Sequence, residues 1–130
     1  MGNAFKDFGR SVKLAWHGLK YTWKTQSNMR FHGFAAAVVL MCAWASSLVR
    51  WEWLLLLLTL GCVFVAEVLN TAIEIVVNLV EPHFHPLAGI AKDVAAGAVL
   101  IAALQAVVVG VMLFYQPLWH FLTYMLEYLF

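Results

Sequence analysis

The chain has little of what a water-soluble enzyme displays. Of its 130 residues only 12% are charged, while 64% are hydrophobic. Soluble domains carry roughly a quarter charged residues, so a water-facing surface cannot be built here and the chain reads as an integral membrane protein. Cysteine is scarce. Cys42 and Cys62 both sit inside apolar runs without metal-type spacing, which predicts buried, unpaired thiols rather than a disulfide framework. With only 3 prolines, long helices can run uninterrupted. There is no Walker-type glycine-rich loop, no protein-kinase signature, no internal repeat and no low-complexity linker. No cleavable signal peptide is expected, because the first apolar run begins near residue 33 behind a long basic segment. At this length residues 1–130 are expected to form one domain.

What charge exists is unevenly placed. Lys6, Arg10, Lys13, Lys20, Lys24 and Arg30 all precede the first long apolar run, and only Arg50 and Lys92 follow it. The positive-inside rule then puts the N-terminus in the cytoplasm of a multi-pass protein. The formal net charge of +1 gives no reason to expect a nucleic-acid partner.

Within residues 4–26, Phe5, Phe8, Val12, Trp16, Leu19 and Trp23 recur at helical spacing beside a cationic stripe that includes Lys20. This predicts an amphipathic surface helix in the headgroup region, whose cations can also draw in a polyanionic substrate. Ser27-Asn28 reads as a turn or cap. Three transmembrane helices are then predicted at 29–49, 52–80 and 87–115. Arg50-Trp51-Glu52-Trp53 marks an outer turn, and Glu81-Pro82-His83-Phe84-His85-Pro86 a cytoplasmic loop. After Pro117 a short interfacial helix is predicted over 118–130, too short to span.

The chain is organised around Glu67-Val68-Leu69-Asn70-Thr71-Ala72-Ile73-Glu74. A charged side chain at mid-bilayer costs roughly 2.5–3.5 kcal/mol on insertion scales, so two of them in one helix call for a reason. At about 100° per residue, Glu67, Asn70, Thr71, Glu74 and Asn78 share roughly a third of the helix circumference. That stripe must face protein or water. The three-helix topology brings it to the same membrane face as Lys92, Asp93, His32, His83 and His85. Such a set can support phosphoryl transfer: a carboxylate can hold Mg²⁺, a lysine can neutralise phosphate oxygens, and a buried glutamate can accept a hydroxyl proton. By spacing alone, a small proton-coupled transporter or a noncatalytic membrane subunit explains intramembrane glutamates equally well. A zinc site at His83 and His85 is not expected, since nearby cysteine ligands are missing.

The run from Glu67 to Glu74, followed by His85-Pro86-Leu87-Ala88-Gly89-Ile90-Ala91-Lys92-Asp93 and Gly97, resembles the signature of the prokaryotic membrane-integral diacylglycerol kinase family. The resemblance extends back through Asn28-Met29-Arg30-Phe31-His32 and Trp16-His17-Gly18-Leu19-Lys20, and forward to about residue 115. It implies a homotrimer with active sites between subunits, in the bacterial inner (cytoplasmic) membrane, using ATP and Mg²⁺. Carried over by position, it implies Glu67 as catalytic base and Asn70 as the residue orienting the reacting groups. Glu74 would bind Mg²⁺. Lys92 would contact the ATP phosphates with Asp93 supporting it, and His85 and Lys20 would lie with the nucleotide. In the diacylglycerol kinase branch, a second metal-binding Glu stands at the position of His32, which is therefore the other candidate metal position. The Asn28-x-Arg30-x-His32 context instead resembles the undecaprenol kinase branch. Thr25-Gln26-Ser27 lacks the acidic residue common there, and Asn78 stands where an Asp is usual. The implied activity is ATP-dependent phosphorylation of a membrane alcohol, undecaprenol first and diacylglycerol as the alternative.

Overall fold

The computed structural model describes the backbone of residues 2–129 and the side chains of residues 7–128. The expected roles of Phe5 and Lys6 in the surface stripe, and of Phe130 in the last segment, lie outside the described residues. The described chain is all-helical, with four helices: α1 (Gly2–Thr25), α2 (Ser27–Ala45), α3 (Arg50–Val80) and α4 (Pro86–Leu129).

The helix ends follow from local chemistry. Gln26 takes an extended conformation and breaks α1 from α2, although its own N–H still donates to Thr22 O at 2.9 Å. Arg30 then reaches back from α2. Its guanidinium donates to the carbonyls of Trp23 and Lys24 at 3.3 and 3.2 Å, satisfying orphan acceptors at the end of α1. At the far end, Ser46 closes α2 through its N–H and hydroxyl, both donating to Cys42 O, and Ser47 turns the chain at φ 52. That left-handed conformation disfavours a side chain with a Cβ, and a short polar one tolerates it better than most. The Glu52 carboxylate accepts from Val49 N–H at 2.8 Å, so α3 starts at Arg50, two residues ahead of expectation. Pro82 and Pro86 bracket the α3–α4 loop. Pro86 occupies the first turn of α4, where its missing N–H would have no partner anyway.

Packing is dominated by the α3–α4 pair, with α2 leaning on the first half of α3. The buried positions of α3 are Leu56, Thr59, Val63, Glu67, Asn70 and Thr71, a single stripe at three- and four-residue spacing. Its partner on α4 is narrow, with Ala95, Val99 and Leu113 buried. Ala95 is a small buried residue of α4, whereas Ala91 and Ala98 are exposed; Cys42 and Cys62, expected to be buried, are exposed as well. Ala43, Leu56 and Leu113 form an apolar core at the end of the bundle away from Glu67.

Two expectations need correction. The segment after Pro117 is not a separate helix. α4 runs through Pro117 as one helix of 44 residues. Proline removes one backbone donor and crowds one carbonyl, which kinks or breaks a helix unless the turns on both flanks hold it. Here both flanks do, with Tyr115 stacked on Trp119 and Thr123 Oγ1 bonded to Trp119 O at 3.1 Å. Second, α2 ends at Ala45, four residues short of the predicted 49, because the Ser46 hydroxyl competes for the last carbonyls. Two helices, α3 and α4, are long and apolar enough to cross a membrane.

Candidate active site

The site is built on the stripe of α3. Thr71 donates its hydroxyl to the backbone carbonyl of Glu67 at 2.9 Å and sits buried beside it, filling the gap between α3 and its neighbours. Glu67 itself is 1% exposed, and neither of its carboxylate oxygens has a hydrogen-bond partner. A buried, unpaired carboxylate is costly to keep, so its retention points to use. Glu67 and Asn70 line a cleft of about 270 Å³, with Asn28, Phe31 and His32 from α2 and Val99 from α4 among its other walls. The cleft is thus roofed by the first two turns of α2.

Two turns beyond Glu67 on α3 lies Glu74, half-buried. Its two oxygens are held separately. Gln26 Nε2 donates to Oε2 at 2.8 Å, and Asn70 Nδ2 donates to Oε1 at 3.0 Å. Asn70 spends its amide donor on Glu74 and leaves its carbonyl oxygen, also buried, without a partner. Glu67, Asn70 and Glu74 therefore form a short polar line, and Gln26 ties the α1–α2 hinge to it. Each Glu74 oxygen accepts one bond and has a second lone pair to offer. A carboxylate with amide neighbours is the hard-oxygen donor set that suits Mg²⁺, which takes one or two protein carboxylates and completes its octahedron with phosphates and water. Among the described residues no three His, Cys, Asp or Glu side chains form a metal-sized group.

Lys92 Nζ donates to Asn78 Oδ1 at 2.7 Å, pinning the start of α4 to the end of α3. Asn78 stands one turn beyond Glu74 on the same stripe, so the ammonium is set at the open end of the polar line. Asp93, next to Lys92, is exposed. His85 caps α4, its Nδ1 accepting from Leu87 N–H at 3.3 Å. Lys20 lies apart on exposed α1, in a basic recess with Arg10, Lys13 and His17.

Sequence reasoning missed two contributors to the site and left a third without its partner. Gln26 was noted only for lacking an acid; its amide is what holds Glu74 to the hinge. Asn28 was read as a turn and instead lines the Glu67 cleft. Thr71 was placed on the stripe without a partner. The signal for Asn28 was its place in the Asn28-x-Arg30-x-His32 run; nothing in the sequence reveals a contact such as Gln26–Glu74, 48 residues apart.

Residues 13–114 match the family model described as prokaryotic diacylglycerol kinase. Over 116 residues the chain is 40% identical to an undecaprenol kinase of Bacillus subtilis (strain 168), covering 89% of this chain and 94% of that protein. It is 46% identical over 109 residues to a diacylglycerol kinase of a Synechocystis species, covering 83% of this chain and 62% of that protein. With the Escherichia coli K12 diacylglycerol kinase it shares 37% identity over 115 residues, covering 83% of this chain and 91% of the other.

Proposed function

The chain belongs to the prokaryotic diacylglycerol kinase family, and from that premise we propose that it phosphorylates undecaprenol at the membrane surface to give undecaprenyl phosphate. It is a membrane-bound lipid kinase with ATP as phosphate donor. The observation that carries the mechanism is Glu67: a buried carboxylate with two unpartnered oxygens at the wall of a cleft.

The acceptor hydroxyl sits in that cleft and gives its proton to Glu67 as its oxygen attacks the terminal phosphorus of ATP. The bond from that phosphorus to the bridging oxygen breaks, and ADP leaves. A positioned base of this kind contributes about 10²–10⁴-fold. Asn70 holds the Glu74 carboxylate in place and orients the reacting groups. Glu74 would hold Mg²⁺ beside the phosphates, where the ion supplies charge neutralisation. His32 is the poorer second ligand, because Mg²⁺ prefers oxygen donors to imidazole. Lys92, set by Asn78 at the mouth of the site, offsets phosphate charge, with Asp93 supporting it and His85 capping the same helix. Lys20 attracts the nucleotide from the basic recess of α1.

The fuller architecture is part of the same reading. α1 lies in the cytoplasmic headgroup region and α2 is a third membrane span. The single domain assembles as a homotrimer in the bacterial inner membrane with its N-terminus in the cytoplasm. Undecaprenol is preferred as acceptor because the Asn28-x-Arg30-x-His32 run accompanies the 94% coverage of the undecaprenol kinase. The 46% identity to a diacylglycerol kinase supports diacylglycerol as the second reading.

The test is purified protein in mixed micelles with Mg-ATP labelled on the terminal phosphate, offered undecaprenol and diacylglycerol separately. Label in undecaprenol is the expected result. Label in diacylglycerol alone would overturn the substrate, and label in neither would overturn the kinase.

A further inference from the structure

The polar line carries one ammonium and one carboxylate that do not meet. Glu74 and Lys92 are both half-buried. The partner of Lys92, Asn78, stands four residues after Glu74 on the same face of α3, about 6 Å further along the axis. That separation is within the sweep of the flexible four-carbon stem of a lysine. Opposite charges so close, partly shielded from water, attract each other more strongly than a charge attracts a neutral amide. Each nevertheless takes a carboxamide. Lys92 Nζ donates to Asn78 Oδ1 at 2.7 Å, the short end of the range for such a bond. Both Glu74 oxygens accept from amides, Gln26 Nε2 at 2.8 Å and Asn70 Nδ2 at 3.0 Å. Asn78 is exposed, so its side chain does not serve to fill the core. What a carboxamide does offer is a bond that satisfies a charge without cancelling it.

We infer that Asn78 is a positioning residue that keeps the Lys92 ammonium from pairing with Glu74. Its oxygen is an uncharged acceptor that occupies the ammonium one turn away from the carboxylate. Lys92 thus keeps its full positive charge for the ATP phosphates, and Glu74 keeps its full negative charge for Mg²⁺. The two ways of losing Asn78 then differ. Asn78→Asp holds the same ammonium but neutralises it, which touches the phosphate side alone. Asn78→Ala releases the ammonium toward Glu74, where the two charges offset each other, so phosphate and metal both lose. This inference rests on the reading in which Lys92 meets phosphate and Glu74 meets Mg²⁺, and it deepens that reading by assigning the residue that keeps both charges available.

The experiment uses the full chain in mixed micelles and two readouts. One is the KM for ATP; the other is Mn²⁺ uptake by the nucleotide-free protein, followed by electron paramagnetic resonance. Asn78→Asp is expected to raise the KM for ATP about three-fold, the size of a partly exposed ion pair, with Mn²⁺ uptake undiminished and the melting temperature no lower. Asn78→Ala is expected to raise the KM for ATP and also to weaken Mn²⁺ uptake, each by about three- to five-fold. A residue that only anchored α4 to α3 would behave otherwise. Asn78→Asp would then match the unsubstituted chain, and Asn78→Ala would leave the metal alone. A KM for ATP in Asn78→Asp at or below that of the unsubstituted chain therefore overturns the proposal, as does unchanged Mn²⁺ uptake in Asn78→Ala. Failure of the underlying reading looks different. Glu74→Gln with Mn²⁺ uptake intact removes the metal role, and no labelled lipid from the unsubstituted chain removes the kinase; either result takes this inference with it.

Discussion

At the scale of single residues, the site separates two glutamates by two turns and gives them opposite surroundings. Glu67 has no partner, whereas Glu74 has two amide donors. The difference follows from position. Glu67 meets α2 where its wall is Phe31 and His32, and Glu74 meets the α1–α2 hinge, where Gln26 projects. Glu67→Gln keeps the shape of the side chain and removes the base. It is expected to lower kcat by about 10²–10⁴-fold in the labelled-phosphate assay, with little change in the KM for ATP. Glu74→Gln keeps the two amides nearby but removes the charge. The Mg²⁺ concentration for half-maximal rate is expected to rise at least several-fold, and an unchanged Mg²⁺ dependence would remove the metal role. Asn70→Ala strips one donor from Glu74, and its expected effect is a fall in kcat without loss of the folded state.

At the scale of helices, the packing of α1 on α2 depends on a glycine. A Cβ at Gly33 would run into the six-membered ring of Trp23, so the end of α1 can lie against α2 only because that position is bare. Gly33→Ala suits α2 itself, since alanine favours helix by about 1 kcal/mol over glycine. The indole must then move aside. The expected outcome is faster tryptic cleavage after Lys24 with α2 intact, read by the rate at which that fragment appears. α4 poses a different question. At 44 residues it extends about 66 Å, twice the thickness of a hydrocarbon core of about 30 Å. Pro117 interrupts its hydrogen-bond ladder just beyond the part that matches the family, which ends at residue 114. Pro117→Ala is expected to raise the unfolding temperature in detergent by restoring one backbone bond, with kinase activity unchanged.

At the scale of the whole molecule, much of the apolar surface faces outward. Val65, Leu69 and Ile73 lie along the side of α3 opposite the polar stripe, and together with Leu57, Ala95 and Ala98 they border a shallow recess. Lipid or other copies of the chain must cover such a surface. In the homotrimer proposed here, light scattering of the detergent-solubilised protein is expected to give three chains per particle. A monomer with full activity would remove the shared-site arrangement. The basic recess on α1 belongs to this scale as well, because Arg10, Lys13, His17 and Lys20 are exposed along one helix, in a recess that neither Glu67 nor Glu74 lines. In the proposed capture of the nucleotide they would act over distance, so that contribution is expected to weaken with salt.

The sequence by itself determined that this is a helical membrane protein, that Glu67, Asn70 and Glu74 share one helix face, and which family the chain resembles. Those conclusions rest on composition and on the helical repeat, which need no knowledge of distant contacts. The burial of Glu67, Asn70 and Thr71 on one stripe follows the same repeat. The tertiary structure alone decided the rest. That Gln26 reaches Glu74, that Asn28 faces Glu67, and that Lys92 is held by Asn78 depend on how α1, α2 and α4 dock on α3. So does an apolar groove of about 280 Å³ between α2 and α4, the gap left where those two helices pack on α3 and not on each other. The break expected at Pro117 failed for a related reason. A proline weakens one turn locally, but the helix on either side of it is cooperative and holds.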